Sequence, residues 1–205
     1  MNKGVVSVLV AYLIWGLYPF YFHAMQHVAP AEIVIHRVLW TFALLAVYLF
    51  CSRRWRWIQK AVTDRRTVAV FLMSSVLITA NWSTYTYAIV TNQTLEASLG
   101  YFMNPLVSVL LGTVFLKEKL NKAQMLAIVF ACAGVMWVTF KQGEFPALGL
   151  TLALSFGFYG LVRKMAPLGS LEGLTLETAF AFPVALLATF YFAGNGDLTF
   201  VHGTS

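Results

Sequence analysis

A basic side chain lies inside one of the most apolar runs of this sequence. Residues 31–51 contain the run EIVIHRVLWTFALLAVYLF, in which His36 and Arg37 follow the start by about one and a half helical turns. About 20 apolar residues match the hydrocarbon thickness of a bilayer. An arginine there costs about 3 kcal/mol or more unless it is paired or hydrated. We therefore expect Arg37 to face a polar cavity, and His36, whose charge changes near neutral pH, to be a candidate proton carrier.

The pattern also predicts which side chains compensate the charge of Arg37. Glu32 shares a helical face with His36 and is badly placed for Arg37, which needs a partner from another helix. Glu96 is the best candidate by depth, and Trp40, three residues after Arg37, is expected to add a cation–π contact. The alternative is that the Arg37 side chain reaches the membrane interface, since it lies only about 9 Å from the start of the span.

Other spans offer further polar and aromatic side chains for a cavity. Asn104 precedes Pro105, and a proline inside a helix frees a carbonyl that must face protein or water. Such a break is as compatible with helix packing as with a binding site. Glu177 lies in the last apolar span and is expected in the opposite half of the membrane from Arg37. The remaining candidates for the cavity lining are Trp15, Tyr18, Asn81, Tyr85, Tyr101 and Tyr159.

The composition predicts an all-α integral membrane protein. Hydrophobic residues make up 60% of the 205 residues and charged residues 11%, whereas charged residues are about a quarter of a soluble domain. Seven apolar spans fall at roughly 4–25, 31–51, 67–90, 95–116, 123–140, 147–162 and 171–193. Two rows of small residues, Gly149–Ala153–Gly157 and Ala123–Ala127–Ala131, are interpreted as seams where helices pack.

The sequence contains no pattern that indicates an enzyme. A phosphate-binding loop, metal-ligand spacing and a serine–histidine arrangement are all missing, and Cys51 and Cys132 are most simply core residues. We therefore expect no catalytic site, no cofactor and no bound metal. The net charge of +6 is concentrated in the linkers between spans, so it indicates membrane topology and not nucleic-acid binding.

The distribution of basic residues predicts the orientation in the membrane. Of the 14 Lys and Arg residues, all but Arg37 and Lys141 precede the first span or lie in the linkers that follow spans two, four and six. By the positive-inside rule the N-terminus is cytoplasmic and the tail after span seven is outside.

A weak internal repeat predicts the architecture. AYLIWGLYPF near the start aligns with ALSFGFYGLV from Ala153, which places Trp15 on Tyr159, and His36 then falls on Glu177. A unit of five spans is odd, so a second unit enters the membrane upside down. We expect residues 1–140 to form the first five-helix repeat, and 141–205 an incomplete second repeat of two helices and a polar tail. The chain is then a shortened form of a ten-helix protein.

Several motifs carry a resemblance to a known family. AYLIWGLYPFYF, PAEIVIHRVLW, ANWSTYTYAI, LEASLGYFMNPLVSVLLGTVFLKEKL and ALSFGFYGLVRK resemble the RarD family of EamA-type permeases, within the drug/metabolite transporter superfamily. The similarity covers residues 4 to 190. It implies a bacterial inner-membrane permease with ten helices in two inverted five-helix units, and it implies no particular substrate.

Two functional hypotheses follow. The first is a secondary transporter that moves a small organic metabolite or drug by alternating access through a central polar cavity. Its partners are the lipid bilayer and the small-molecule substrate, with proton coupling through His36 or Glu177. The second is a shortened, non-transporting membrane protein or subunit, which forms a homodimer or needs a partner that supplies the last three helices.

Overall fold

The computed structural model describes residues 3–53 and 55–195, and within these ranges the regular structure is entirely α-helical. Short linkers join the long helices, so long helices that are consecutive in the chain run antiparallel, and the short helix α3 lies in the linker between two of them. The helices are α1 (Lys3–His23), α2 (Pro30–Ser52), α3 (Arg56–Thr63), α4 (Arg65–Val90), α5 (Thr94–Phe115), α6 (Lys122–Gln142), α7 (Ala147–Met165) and α8 (Ser170–Asn195).

Six of these helices, α1, α2, α4, α5, α6 and α8, are long and apolar enough to cross a membrane. The prediction of an all-α membrane protein is therefore confirmed. The sixth predicted span is also a helix, α7, but it has only 19 residues, about 28 Å at 1.5 Å per residue, and is not among those six. Small and polar residues such as Gly149, Thr151 and Ser155 make it less apolar. Since α7 packs against both α4 and α5, it has less need of an apolar surface towards lipid.

The helix α3 was not predicted, because its residues were assigned to a linker. Trp57, Ile58 and Ala61 follow one another at helical spacing, and this is the signal that the linker contains. Ala61 packs with Phe71 and Leu176 in a buried cluster against which Trp57 also lies. This cluster, with Ala166, Leu168 and Phe180 beside it, is the basal apolar cluster of the bundle.

The bundle has two ends that differ in charge. The basic face is the end where α1 begins and where the linkers after α2, α5 and α7 lie; the opposite face contains the linkers after α1, α4 and α6. On the basic face, Lys164 forms an ion pair with Glu118. On the opposite face, Gln26 donates a hydrogen bond to Asn92 at 2.7 Å. That the basic face is cytoplasmic stays a prediction.

Glycines allow α5 and α7 to approach closely. A Cβ atom on Gly100 would lie 2.9 Å from the Cβ of Leu152 and 3.0 Å from the carbonyl oxygen of Gly149. A Cβ atom on Gly157 would lie 2.6 Å from the side chain of Val107. The row that begins at Gly149 is therefore a packing seam, as its spacing predicts.

The helices α1 and α6 are peripheral. Phe22 is the one buried residue of positions 4–23, and none of residues 122–141 is buried. The row Ala123–Ala127–Ala131 of α6 is exposed, so it is not a packing seam within the part of the chain that the structure describes. These apolar helix surfaces are in contact with the lipid bilayer.

Candidate functional site

A cavity of about 690 Å³ lies between α1, α4, α5 and α7, and the side chain of Arg37 reaches it from α2. Its lining extends from Ile89 and Thr94, next to the opposite face, to Ser108 deep in α5. Seven of the twelve side chains expected at a cavity are brought together here: Trp15, Tyr18, Arg37, Asn81, Tyr85, Tyr101 and Asn104.

The guanidinium of Arg37 lies over an aromatic ring. Its Cζ atom is 4.0 Å from the centroid of the Trp82 ring, well within the distance for a cation–π interaction. The titratable side chains that surround this charge are tyrosines, namely Tyr18, Tyr21, Tyr85 and Tyr101. Among the described residues, Arg37 forms no ion pair with a carboxylate. Arg37 therefore lines the cavity, and the alternative that its side chain reaches the membrane interface stays a prediction.

The expected pairing of Arg37 with Glu96 is wrong. Glu96 lies in the first turn of α5, where its Oε2 atom accepts a hydrogen bond from the backbone N–H of Leu148 at 3.1 Å. The first N–H groups of a helix have no partner within that helix, and its N-terminus favours negative charge. The start of α7 thus engages the carboxylate that was assigned to Arg37.

The expected contact between Arg37 and Trp40 is also wrong. Trp40 is 66% exposed on the outside of the bundle, because a residue three positions on is turned by about 60° around the helix. The aromatic contact comes instead from Trp82, which α4 places behind Arg37. His36 is half-buried and is not among the described residues that line the cavity.

Aromatic rings form a large part of the cavity wall. The rings of Tyr85 and Tyr101 meet edge to face with centroids 5.8 Å apart, and Phe22 packs on Tyr85 at the same distance. Asn81 is committed to the fold, since its Nδ2 atom donates to the carbonyl of Leu152 at 3.1 Å and to Ser155 at 3.0 Å. Hydrogen bonds therefore hold α4 to α7 on this side of the cavity.

Asn104 and Pro105 both line this cavity, inside α5. The Oδ1 atom of Asn104 is buried and has no hydrogen-bond partner among the described residues. An unpaired buried amide oxygen is costly in a protein interior. Asn104 is thus a polar group whose hydrogen-bonding capacity the fold leaves unused.

The two remaining candidates, Glu177 and Tyr159, lie away from this cavity. Glu177 is 1% exposed, and its Oε1 atom accepts a hydrogen bond from Ser74 at 2.8 Å while its Oε2 atom accepts one from Tyr159 at 3.2 Å. Arg163 forms an ion pair with the same carboxylate, with 3.6 Å between Nε and Oε1. We call Ser74, Tyr159, Arg163 and Glu177 the Glu177 cluster.

Further contacts with neighbouring residues hold the Glu177 cluster in place. Arg163 also donates to the carbonyl of Gly169 at 3.1 Å, and its guanidinium lies 5.1 Å from the ring centroid of Phe71 in the basal apolar cluster. Ser75 donates to the backbone carbonyl of Glu177 at 2.7 Å. Gly173 makes room for Arg163, because a Cβ atom there would overlap the guanidinium.

The two charged sites lie at matching depths from opposite ends of the bundle. Arg37 is seven residues from the start of α2 at the opposite face, and Glu177 is seven residues from the start of α8 at the basic face. At 1.5 Å per residue each is about 10 Å below its own face. The residues that sequence reasoning missed are Trp82, Ser74 and Arg163; Arg163 was counted as a linker charge although it lies within α7.

No group of three or more His, Cys, Asp or Glu side chains that could hold a metal ion occurs within residues 3–53 and 55–195.

Comparison with known proteins identifies the family. Residues 2–140 match the model of the EamA-like transporter family. The chain belongs to this family. It is 42% identical to the transporter YojE of Bacillus subtilis over 90% of this chain and 63% of YojE. It is 39% identical to the protein RarD of Escherichia coli K12 over 95% of this chain and 66% of RarD. The expected resemblance to RarD is thus confirmed.

A further relative extends this agreement. The RarD protein of Salmonella typhimurium is 40% identical over 95% of this chain and 66% of its own length. The EamA-like chain therefore spans slightly less than two thirds of the length of the three relatives named here. No solved structure matches it.

Proposed function

We propose that this EamA-like chain is a secondary transporter that moves a small organic metabolite or drug by alternating access. The carrying observation is the cavity of about 690 Å³, in which the membrane-embedded charge of Arg37 faces an aromatic wall. A charged residue within a membrane helix is costly and marks a substrate or ion pathway. The family match and the transporter names of the relatives support this reading.

The second charged site, the Glu177 cluster, closes the path between the cavity and the basic face. Alternating access requires such a closure that can open. While the cavity is present beside Arg37, the Glu177 cluster and the basal apolar cluster fill the bundle next to the basic face. For the substrate to pass, the ion pair between Arg163 and Glu177 has to break and α8 has to move away from α4. Breaking it is easier when Glu177 takes up a proton, so we propose Glu177 as the coupling group, with His36 as the alternative.

The proposed setting is the inner membrane of a bacterium, with the basic face in the cytoplasm and the tail after α8 outside. The charge asymmetry of the linkers supports this orientation. The matching depths of Arg37 and Glu177 support two inverted repeats, 1–140 and 141–205, of which the second is incomplete.

Uptake by reconstituted protein tests the proposal. Proteoliposomes that contain the chain are assayed with a panel of radiolabelled amino acids, organic acids and amine drugs. We expect saturable uptake of at least one compound, with a loss of at least about tenfold in both Arg37→Ala and Glu177→Gln. Uptake that is indifferent to both substitutions, or no uptake of any compound by folded protein, contradicts the proposal.

A second candidate function is a subunit that transports only together with further helices. The surface of α1 favours it: under the repeat, α1 corresponds to α7, yet α7 packs on both α4 and α5 whereas Phe22 is the one buried residue of positions 4–23 in α1. This candidate predicts no uptake by the chain alone. It also predicts uptake when the chain is co-expressed with the last third of YojE.

A further inference from the structure

The charge of Arg37 is uncompensated in the described structure. The half-buried Arg163 lies 3.6 Å from the carboxylate of Glu177, whereas the neighbours of the Arg37 charge are the ring of Trp82 and the surrounding tyrosines. The carboxylate expected to pair with Arg37, that of Glu96, is bonded to the start of α7. A charged residue within a membrane span marks a substrate or ion pathway, and a cation without a carboxylate partner attracts an anion.

The Cζ atom of Arg37 lies over the Trp82 ring, and this contact leaves the guanidinium donors available. A guanidinium carries its N–H groups in its own plane, so an aromatic ring against one face does not occupy them. Two parallel N–H groups of this kind match the two oxygens of a carboxylate, and such charge-assisted pairs are about twice as strong as neutral ones. The chemistry of the site therefore favours a carboxylate.

The number of charges limits the anion to a single negative charge. Among the described residues that line the cavity, Arg37 is the one that carries a full charge. A monocarboxylate would leave the occupied cavity neutral. A phosphate ester or a dicarboxylate would bring excess negative charge into a region of low dielectric constant, where it is strongly disfavoured.

The shape and lining of the cavity indicate the rest of the ligand. Rings of Tyr85, Tyr101 and Phe156 form its wall, and its volume of about 690 Å³ is that of a site for a drug-sized molecule. Flat apolar groups pack well against such rings, in offset or edge-to-face arrangements. A ligand with an aromatic or other planar body therefore packs well against this wall.

We propose that the cavity binds organic monocarboxylates with a flat apolar body, Arg37 holding the carboxylate and the aromatic wall holding the body. This inference rests on the proposed function in that it names the substrate class of the same cavity. It concerns binding, which is measurable whether or not the chain transports.

Three ligands that share one ring system test the proposal. Indole-3-acetate, indole-3-acetamide and tryptamine are anionic, neutral and cationic at pH 7. Each is titrated calorimetrically into purified protein in lipid nanodiscs. We expect the acid to bind at least about tenfold more tightly than the amide, since one hydrogen-bonded charge pair is worth about 1.5 kcal/mol or more, and tryptamine to bind most weakly.

Two variants assign the preference to Arg37. Arg37→Gln is expected to bring the affinities for the acid and the amide within about threefold of each other. Arg66→Gln removes the same charge from an exposed position at the start of α4 and is expected to keep the wild-type ratio. Circular dichroism and gel filtration verify that both variants are folded.

The outcomes separate this inference from transport. Equal affinity for acid and amide in the wild type, an acid preference that survives Arg37→Gln, or binding of none of the three ligands overturns it. Acid binding that depends on Arg37, in a protein that shows no uptake, upholds the anion site and contradicts the transport proposal. Uptake of a cation or a neutral compound, by a protein that binds the acid no more tightly than the amide, upholds the transport proposal and contradicts the anion site.

Discussion

Glu177 and Arg163 form a buried ion pair that connects α7 and α8, with 3.6 Å between Oε1 and Nε. Ser74 brings α4 to the same carboxylate at 2.8 Å, so three helices meet at one charged group about 10 Å below the basic face. The pair lies directly against Phe71, which is fully buried in the basal apolar cluster. This junction therefore combines an ion pair with the basal apolar cluster.

Removing the charge of Glu177 should destabilise this junction. Glu177→Gln keeps a hydrogen-bond acceptor for Ser74 but leaves Arg163 without a counter-ion, which we expect to lower the free energy of unfolding by about 2–4 kcal/mol. The melting temperature in detergent, measured by differential scanning fluorimetry, checks the direction.

The exposed ion pair on the same face is the matched control. The partners Lys164 and Glu118 are more than half exposed, so Glu118→Gln should change stability by no more than about 0.5 kcal/mol. A variant at Glu177 that melts no earlier than the Glu118 variant would show that the buried pair is not a structural junction.

Removing the charge of Arg37 should have the opposite effect on stability. Arg37→Met relieves the cost of a cation without a carboxylate partner and loses one cation–π contact, so we expect a rise of about 1–2 kcal/mol. Ligand binding should be lost in the same variant, which is the usual relation between stability and a functional residue.

Arg163→Met is the matched substitution for this comparison. It removes the same side chain from a paired site and leaves Glu177 buried without a counter-ion, so stability should fall by about 3–5 kcal/mol. Melting temperatures that shift in the same direction for both arginine variants would contradict the distinction between a paired and an uncompensated charge.

Periodicity and composition predict the helices well, because a bilayer requires long apolar helices whatever they pack against. All seven predicted spans are helices, and α3 was missed because a short amphipathic helix resembles a charged linker. The row of Gly149 was recognised as a seam, but the exposed row of Ala127 shows that small residues alone do not make one.

Which residues contact each other within the site was much less predictable from the sequence. Depth counting placed Glu96 level with Arg37, yet a nearby helix N-terminus engages that carboxylate. Whether Trp40 or Trp82 contacts Arg37 depends on how α2 is rotated against α4, which the sequence of either helix does not specify. Residue type and depth can be read from one span, but rotation and pairing follow from the packing of several.

Adding one methyl group at the seam between α5 and α7 should be costly. In Gly100→Ala the new Cβ atom would meet Leu152 at 2.9 Å and the backbone of Gly149 at 3.0 Å. Backbone atoms cannot rotate away, so we expect a loss of about 1–3 kcal/mol, measured as a lower melting temperature.

Gly16→Ala is the control, since a Cβ atom there meets nothing within 4 Å. Alanine is favoured over glycine inside a helix, so this variant should keep or gain stability by about 0.5–1 kcal/mol. Equal melting temperatures for the two variants would mean that α5 and α7 accommodate the methyl group without loss of stability.

Acid should weaken the start of α4. Asp64 accepts hydrogen bonds from the Thr67 hydroxyl at 2.5 Å and from the backbone N–H groups of Arg66 and Thr67 at 3.2 Å each. The Thr67 hydroxyl foremost, together with these N–H groups, lowers the pKa of Asp64 below its ordinary value of 3.8. A lowered pKa in the folded state means that the stabilisation is complete above pH 4 and is lost as the pH falls through the folded pKa.

Asp64→Asn isolates the charge, because asparagine is also a good N-cap and retains the acceptor oxygen. We expect the wild type to melt at a higher temperature than the variant at pH 7, and the difference to shrink as the pH is lowered from 4 to 3. Melting curves of the two proteins at pH 7, 5, 4 and 3 measure it, and the comparison cancels the effect of acid on the other carboxylates. A difference that is unchanged at pH 3 would mean that the Asp64 charge does not stabilise the helix start.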